Sequence, residues 1–349
     1  MKGLILAAGS GTRLRPITYT RAKPLIPVAG RYIITYPIEK LLEVGIDDIG
    51  IVVGANEAEV RDCLSRAYPS RKFSFVRQNE PLGLAHACRS AARFLSREPF
   101  CMLLGDNLFG DSLETPLFKF TDGGYNCLLT LFPVENPQSF GVAEVEGERV
   151  VRLVEKPPMP TSNLAITGIY FFDEAIFKAI ERVRPSARGE LEITDAMQSL
   201  IDHGMKVGYT KLSGWWKDTG RLPDLLEANR TILSYLKASV KGDVASSEVR
   251  GALHLPATSR IVNSTVVGPV WVGPDVTIAD STVGPNVAVH AGTTLAGVSV
   301  EDSIVMEEVT ITSVKRRILS SLIGTKTQIL SATEDGIVLF LGDACEVHL

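Results

Sequence analysis

A chain of 349 residues is long enough for two domains and a substantial core. With 36 Lys and Arg against 40 Asp and Glu, its formal net charge of -4 argues against a generic nucleic-acid or anionic-membrane surface, so any cations that matter must be gathered in a site. An apolar content of 45% is ordinary for a globular protein, and no run approaches membrane-spanning length.

Cys63, Cys88, Cys101, Cys127 and Cys345 are widely separated and form no C-x-x-C pair, so they are read as buried free thiols. The sequence opens on a strand-like run, without a basic segment followed by an apolar one, and a cytoplasmic location is expected. Neither nucleic acid nor membrane is expected among the partners.

From residue 1 to about 105, apolar runs alternate with helical patterns. Strands are predicted at 3–7, 49–53, 73–77 and 101–104, and helices near 32–44, 57–67 and 84–95. This alternation predicts an α/β, Rossmann-like domain with a mostly parallel sheet covered on both faces, whose ligands bind beyond the strands' carboxyl ends. The first strand runs into Leu6-Ala7-Ala8-Gly9-Ser10-Gly11-Thr12-Arg13-Leu14-Arg15-Pro16, followed by Lys23-Pro24-Leu25-Ile26-Pro27-Val28. Gly9 and Gly11 let the backbone turn its amides toward anionic oxygens, and Arg13 and Lys23 add two permanent cations. No G-x-x-x-x-G-K-[ST] is present, and Gly9-Ser10-Gly11 lacks the third glycine of a dinucleotide fingerprint. The stretch reads as a triphosphate-binding loop, against the alternative of a plain strand-to-helix turn with solvated basic residues.

Gln78, in Arg77-Gln78-Asn79-Glu80-Pro81-Leu82-Gly83-Leu84, carries both an acceptor and donors and can pair with the N3–H and O4 edge shared by thymine and uracil. Gly83 would let a backbone amide approach that base. Gly105-Asp106-Asn107 follows the apolar 101–104 run, so Asp106 stands just past a strand end. An aspartate there can equally be a cap or turn residue.

Residues 125–220 mix strand-like runs at 126–132, 141–145, 150–154 and 167–172 with helices near 174–183 and 193–203, and look like an inserted lobe. Asp218, in Trp215-Trp216-Lys217-Asp218-Thr219-Gly220, is a second candidate carboxylate, since Mg²⁺ takes one or two carboxylates and completes its shell with phosphate and water. An amphipathic helix near 222–236 precedes a polar stretch at 237–249, which sets the expected boundary: residues 1–240 as one domain and 241–349 as a second. In the latter, Val267, Val272, Ile278, Val283, Val289 and Leu295 recur every five or six residues with Gly-Pro pairs at turns. That is a hexapeptide-type repeat, with a β-sandwich of short strands as the alternative. His86, His203, His254, His290 and His348 form no metal-ligand pattern and are read as solvated or core imidazoles.

Taken together, these motifs resemble the signature of sugar-1-phosphate nucleotidylyltransferases, most closely the glucose-1-phosphate thymidylyltransferase family in its long form. The resemblance implies a nucleotide-diphospho-sugar transferase domain followed by a left-handed parallel β-helix. It implies nucleotide binding by Leu6, Ala8, Gly9, Ser10, Gly11, Thr12, Gln78 and Gly83, and catalysis by Arg13, Lys23 and Lys156. Asp106 and Asp218 would hold Mg²⁺. In Glu155-Lys156-Pro157, Glu155 would meet sugar hydroxyls and Lys156 the sugar phosphate, where the residues alone would suggest a surface ion pair. Gly141 would let the sugar lie against bare backbone, and Arg188 opens the sugar-side loop that ends at Thr194. Tyr170 lines the same pocket or belongs to the core.

The implied reaction joins dTTP and glucose 1-phosphate into dTDP-glucose and pyrophosphate. The alternatives are UTP or N-acetylglucosamine 1-phosphate as substrate, a non-catalytic regulatory relative, and a bifunctional enzyme whose β-helix transfers acyl groups. The β-helix also implies a homo-oligomer. Where the family commonly has Lys-Pro after Gly30, this chain has Arg31-Tyr32, expected at a helix start.

Overall fold

The computed structural model describes residues 1–330; Cys345, His348 and the end of the expected second domain lie outside the described residues. The chain divides into two compact units, the first made of Met1–Ser10, Ala22–Leu25 and Ile33–Asp218, the second of Gly11–Arg21, Ile26–Tyr32 and the residues from Thr219 onward.

The first unit is built on a nine-stranded sheet in the order Ser74–Arg77, Ile49–Val53, Lys2–Leu6, Phe100–Leu104, Leu164–Phe172, Cys127–Pro133, Val207–Lys211, Arg149–Glu155, Gly141–Glu146. The first four strands are parallel, and Leu6 stands opposite both Val52 and Leu104. Burial is near-continuous along Lys2–Leu6, Ile49–Val53 and Phe100–Leu104, as a doubly covered parallel sheet demands, while the outermost strand Ser74–Arg77 is only partly covered. Leu164–Phe172 then runs antiparallel to its neighbours and opens the mixed half. Helices Thr35–Glu43, Glu57–Ala67 and Leu84–Ser90 follow the predicted pattern. The last stops at Ala91 and restarts as Ala92–Leu95, where one continuous helix was expected. The strand Val207–Lys211 and the helix Glu114–Gly123 were not anticipated.

Leu4, Phe100, Met102, Leu129, Phe172 and Met197 belong to one buried core, in which each fully buried side chain contributes about 1.5–3 kcal/mol. Cys63, Cys88, Cys101 and Cys127 are buried free thiols, as expected. Burial pushes the Cys88 thiol up to about 12 and raises Cys101 and Cys127 as well, leaving them inert at neutral pH. Among the described residues, no helix is long and apolar enough to cross a membrane.

The second unit winds three parallel sheets of six, six and five strands, consistent with a left-handed β-helix. Successive coils stack Ile261 on Ile278 on Leu295 and Val266 on Val283 on Val300. Hydrogen bonds between equivalent positions recur at 17 residues, one short of three hexapeptides, and lengthen to 18 near Ser303 and Ser321. The missing residue explains the slips in the repeat. It also corrects one position: Val266, not Val267, is the buried aliphatic of its strand. One corner column reads Ser246, Asn263, Asp280, Gly297 and Ser313, all at positive φ between 47° and 65°. Asn and Asp tolerate that conformation better than other side chains, because their short polar groups bond locally.

Gly11–Arg21, Ile26–Tyr32 and the helical segment after Thr219 supply the remainder of this unit. Arg31–Tyr32 is a short strand paired with Pro27–Val28, and the helix starts only at Thr35, so Tyr32 has no part in helix initiation. Its hydroxyl instead donates to Glu307 at 3.3 Å. Arg21 pairs with the same carboxylate at 3.0 Å and donates to Thr325 at 3.1 Å. Gly30, at φ +89°, lies against Trp271 so closely that a Cβ would stand 2.2 Å from the ring. Asn229 closes the other arm, accepting from the Ala29 amide at 2.9 Å and donating to the Asn286 carbonyl at 3.1 Å.

Beside this cluster, burial holds the fully buried His290 imidazole down at about 4. Burial would raise Glu307, but Arg21 and Thr325 outweigh it and hold its carboxyl below the ordinary 4.5. Both groups bind fewer protons folded than unfolded, so both favour folding less as pH falls. Acid destabilisation is therefore expected in two stages. His290 contributes roughly 3 kcal/mol between pH 6.5 and 4, and loss of the Glu307 contribution follows below 4.5. Urea unfolding across pH should show Glu307→Gln keeping the first stage and weakening the second; an unaltered lower limb would contradict this.

Candidate active site

The parallel strands end side by side, and Ala8, Gly9, Ser10, Gln78 and Asp106 follow those ends, whereas Gly141, Glu155 and Tyr170 lie on strands of the mixed half and Asp218 on a separate two-stranded ribbon. Leu6 and Leu104 are paired, so Ala8, Gly9 and Ser10 leave the sheet beside Gly105 and Asp106. The Gly105 amide bonds the Leu6 carbonyl at 2.9 Å, and a Cβ at Gly105 would stand 2.8 Å from that oxygen. The next strand end braces the loop: Asn56 donates to the Ala7 carbonyl and accepts from the Gly54 amide, each at 2.9 Å. Asn56 went unnoticed in the sequence, because an asparagine before a helix signals only a cap.

Asp106 accepts an ion-paired hydrogen bond of 2.5 Å from the buried Lys23. Asn107 begins the short strand Asn107–Phe109, which pairs antiparallel with Trp216–Asp218 and sets Asp218 opposite Asn107. The two candidate carboxylates are thus tied to one two-stranded ribbon. Asn107 is buried, its Nδ2 reaches Asp106 at 3.5 Å, and its Oδ1 has no hydrogen-bond partner among the described residues. Two aspartates and an orphaned amide oxygen are hard donors of the type a divalent cation such as Mg²⁺ takes. Among the described residues no three His, Cys, Asp or Glu side chains gather into a full protein cage.

Lys156 caps the strand Arg149–Glu155 at φ +43°, a strained conformation for a lysine, with its amide bonded to the Phe140 carbonyl at 3.1 Å. The preceding Glu155 is paired across the sheet with Gly141. Glu155 accepts from Thr194 at 2.7 Å and from Arg188 at 3.1 Å, and lies 3.9 Å from the Lys156 ammonium. A Cβ at Gly141 would meet both the Glu155 carboxylate and the Thr194 hydroxyl at about 3 Å. The bare side of the glycine is therefore packed against the Glu155 carboxylate and the Thr194 hydroxyl, with Ile166 equally near.

Arg188, expected in the sugar-side loop, is engaged by protein carboxylates, with Glu192 at 2.8 Å and Glu190 at 3.8 Å in addition to Glu155. Burial opposes its charge, yet these carboxylates outweigh burial and raise the guanidinium further. In this structure it organises Glu155. Tyr170 is a core residue, 3% exposed and stacked on Phe172 at 5.7 Å. Its phenol is pushed far up by burial and then by the charge of Glu155.

Gln78 is buried at the end of the outermost parallel strand, its amide bonded to the Val53 carbonyl at 2.8 Å. Its side-chain nitrogen is spent within the protein, on Gly83 and His86. Gly83 has a reason of its own to be glycine: its φ is +97° and a Cβ would stand 2.6 Å from the Leu191 carbonyl. The bare side expected to admit a base is turned against Leu191.

In the second unit, Gly11 adopts a left-handed conformation at φ 62° and opens the turn Thr12–Leu14, with its carbonyl accepting from Thr18 at 2.8 Å. Thr12 and Arg13 are exposed, and a Cβ on Gly220 would lie 3.2 Å from the Arg13 guanidinium.

A family model described as nucleotidyl transferase matches residues 2–235. A glucose-1-phosphate thymidylyltransferase of Streptomyces antibioticus is 42% identical over 100% of this chain and 99% of its own length. A low-salt glycan biosynthesis nucleotidyltransferase of Haloferax volcanii is 39% identical over 100% of both. Among solved structures, a UDP-glucose pyrophosphorylase complexed with UDP-glucose aligns with a TM-score of 0.62 at 27% identity, covering 67% of this chain and 98% of that one. Over motif, fold and sequence alike, the chain belongs to the nucleotidyl transferase family.

Proposed function

We propose that the protein transfers a thymidylyl group from dTTP to glucose 1-phosphate, forming dTDP-glucose and releasing pyrophosphate. The observation that carries this reading is the parallel sheet edge, where Gln78, the Ala8–Ser10 turn and Asp106 leave strands that run in one direction. Full-length similarity to the thymidylyltransferase of Streptomyces antibioticus supports the choice of substrates.

A phosphate oxygen of the sugar would attack the α-phosphorus in line, and the bond from that phosphorus to the bridging oxygen would break toward pyrophosphate. The attacking oxygen is already anionic, so no enzyme nucleophile is required. Catalysis is then positioning and charge neutralisation. Arg13 and Lys23 would take the charge of the triphosphate and departing pyrophosphate, and Lys156 that of the incoming phosphate. Glu155, held by Thr194 and Arg188, would accept from sugar hydroxyls. Asp106 and Asp218 would hold Mg²⁺, which when bound neutralises phosphate oxygens around the α-phosphorus.

UTP is the second reading, favoured by the likeness to a structure holding UDP-glucose. Thymine differs from uracil by one methyl, worth only about 1–3 kcal/mol of discrimination. We also propose that catalysis belongs to the domain expected at residues 1–240 and oligomer contacts to the one expected at 241–349, in a cytoplasmic homo-oligomer.

The deciding experiment is pyrophosphate release with Mg²⁺, comparing dTTP with UTP on glucose 1-phosphate and then on N-acetylglucosamine 1-phosphate. The expected order puts dTTP with glucose 1-phosphate first; absence of release with every pair would end the enzymatic reading. In the same assay Asp218→Asn should lose 10²- to 10³-fold in turnover, about 3–4 kcal/mol, with an unchanged circular dichroism spectrum. Near-normal turnover by the folded variant would remove Asp218 from the metal assignment. Gly141→Val should raise the KM for the sugar phosphate about tenfold or more while leaving that for dTTP within about threefold, because any side chain there would displace the Glu155 carboxylate and Thr194 hydroxyl packed against it.

A further inference from the structure

Gln78 Nε2 lies 3.2 Å from the carbonyl oxygen of Gly83 and 3.0 Å from Nδ1 of His86. A main-chain carbonyl only accepts, so the Gln78 atom facing it is the amide nitrogen. That nitrogen only donates, so Nδ1 of His86 accepts and the imidazole proton sits on Nε2. Both amide hydrogens are thereby consumed, and Oε1 alone is left to meet a ligand.

The arrangement is held from several sides. Gln78 is 8% exposed, so its amide does not turn freely in solvent. The Gly83 carbonyl is directed by that residue's φ of +97° and also accepts from the Ala87 amide at 3.1 Å. Around it, Leu191 donates to the Leu82 carbonyl at 2.7 Å and accepts from the Ala85 amide at 3.0 Å. His86 stands one turn of helix behind, on Leu84–Ser90, where Ser90 donates to its carbonyl at 2.9 Å.

We infer that His86 is the residue that fixes base specificity, by positioning the Gln78 amide so that only an acceptor faces the nucleotide. Such a site takes a base whose facing ring nitrogen carries a hydrogen, as N3 of thymine and uracil does. It rejects cytosine, whose N3 presents a lone pair to the lone pairs of Oε1. A site built around one hydrogen bond discriminates strongly against the partner that cannot make it, because a buried polar group is then left unpaired. Removing the imidazole frees one amide hydrogen to turn toward the base, and the acceptor-only face is lost. The inference rests on the reading that places a pyrimidine nucleotide at Gln78.

The test compares dTTP with dCTP on the full-length protein with Mg²⁺, through kcat/KM in pyrophosphate release and, independently of turnover, through equilibrium dissociation constants. His86→Leu should lower the dTTP-over-dCTP ratio at least tenfold, with the change in KM rather than kcat. His86→Gln, whose amide oxygen can accept from Gln78, should keep the ratio within about threefold of the parent. A ratio unmoved in a folded His86→Leu overturns the inference, and so does a fall of the same size in both variants, which would mark a purely structural role. Gln78→Leu separates the two levels. If it leaves dTTP binding unchanged, the base is elsewhere and the reading beneath fails; if it weakens dTTP binding while His86→Leu leaves the ratio intact, only the inference fails.

Discussion

Parallel strand pairing is the constraint on which the first unit depends. Because Lys2–Leu6 runs in the same direction as Ile49–Val53 and Phe100–Leu104, and Ser74–Arg77 continues that direction, every one of these strands ends at the same edge. The chain must leave the sheet there four times, and each exit carries polar backbone groups that a covered sheet cannot bury. The molecule answers with short braces, such as Asn56 on Ala7 and the Gly105 amide on Leu6, which leave amides and carboxylates aimed outward. Chemistry collects at this edge because the strands Lys2–Leu6, Ile49–Val53 and Phe100–Leu104 are buried along nearly their whole length.

The sugar-side half follows a different logic. Here carboxylates outnumber the cations that face them, and Arg188 is shared among Glu155, Glu190 and Glu192. Burial and the charges of Glu192 and Glu155 raise the Asp195 carboxyl next door. The guanidinium thus holds together acidic groups that would otherwise repel, and its fixed fork suits the task better than a lysine would. Glu155 presents a carboxylate whose orientation is already set by Thr194 before any sugar hydroxyl arrives.

Much of this was legible in the sequence, for a physical reason. Strands such as Ile49–Val53 and Phe100–Leu104 are buried on both faces and read as apolar runs, with Asp106 just past the second, while Gln78 follows and Glu155 ends a less buried strand that still reads as strand-like. What escaped was set by partners distant in the chain. The ribbon of Asn107–Phe109 and Trp216–Asp218 is three residues long on each side, too short to show a period. The orphaned oxygen of Asn107 and the grip of Arg188 depend on neighbours that no spacing rule identifies. His86 was read as a solvated or core imidazole because its role lies in a bond to another side chain. In the repeat, Val266 and Val267 are equally aliphatic, and only the 17-residue coil chooses between them.

The close approach of Gly30 to Trp271 bears on how such a protein can change over time. A surface loop normally drifts freely, and a C-terminal extension can be gained or shed as a cassette. Here the loop that carries Gly11, Thr12 and Arg13 shares its packing with the coils, through Trp271, Asn229 and the Arg21–Glu307 pair. A recombination that exchanged the β-helix for another tail would strip the contacts from residues 11–32, and the new tail would have to bring matching ones. Loop and tail are therefore expected to be inherited as one piece, although more than two hundred residues separate them along the chain.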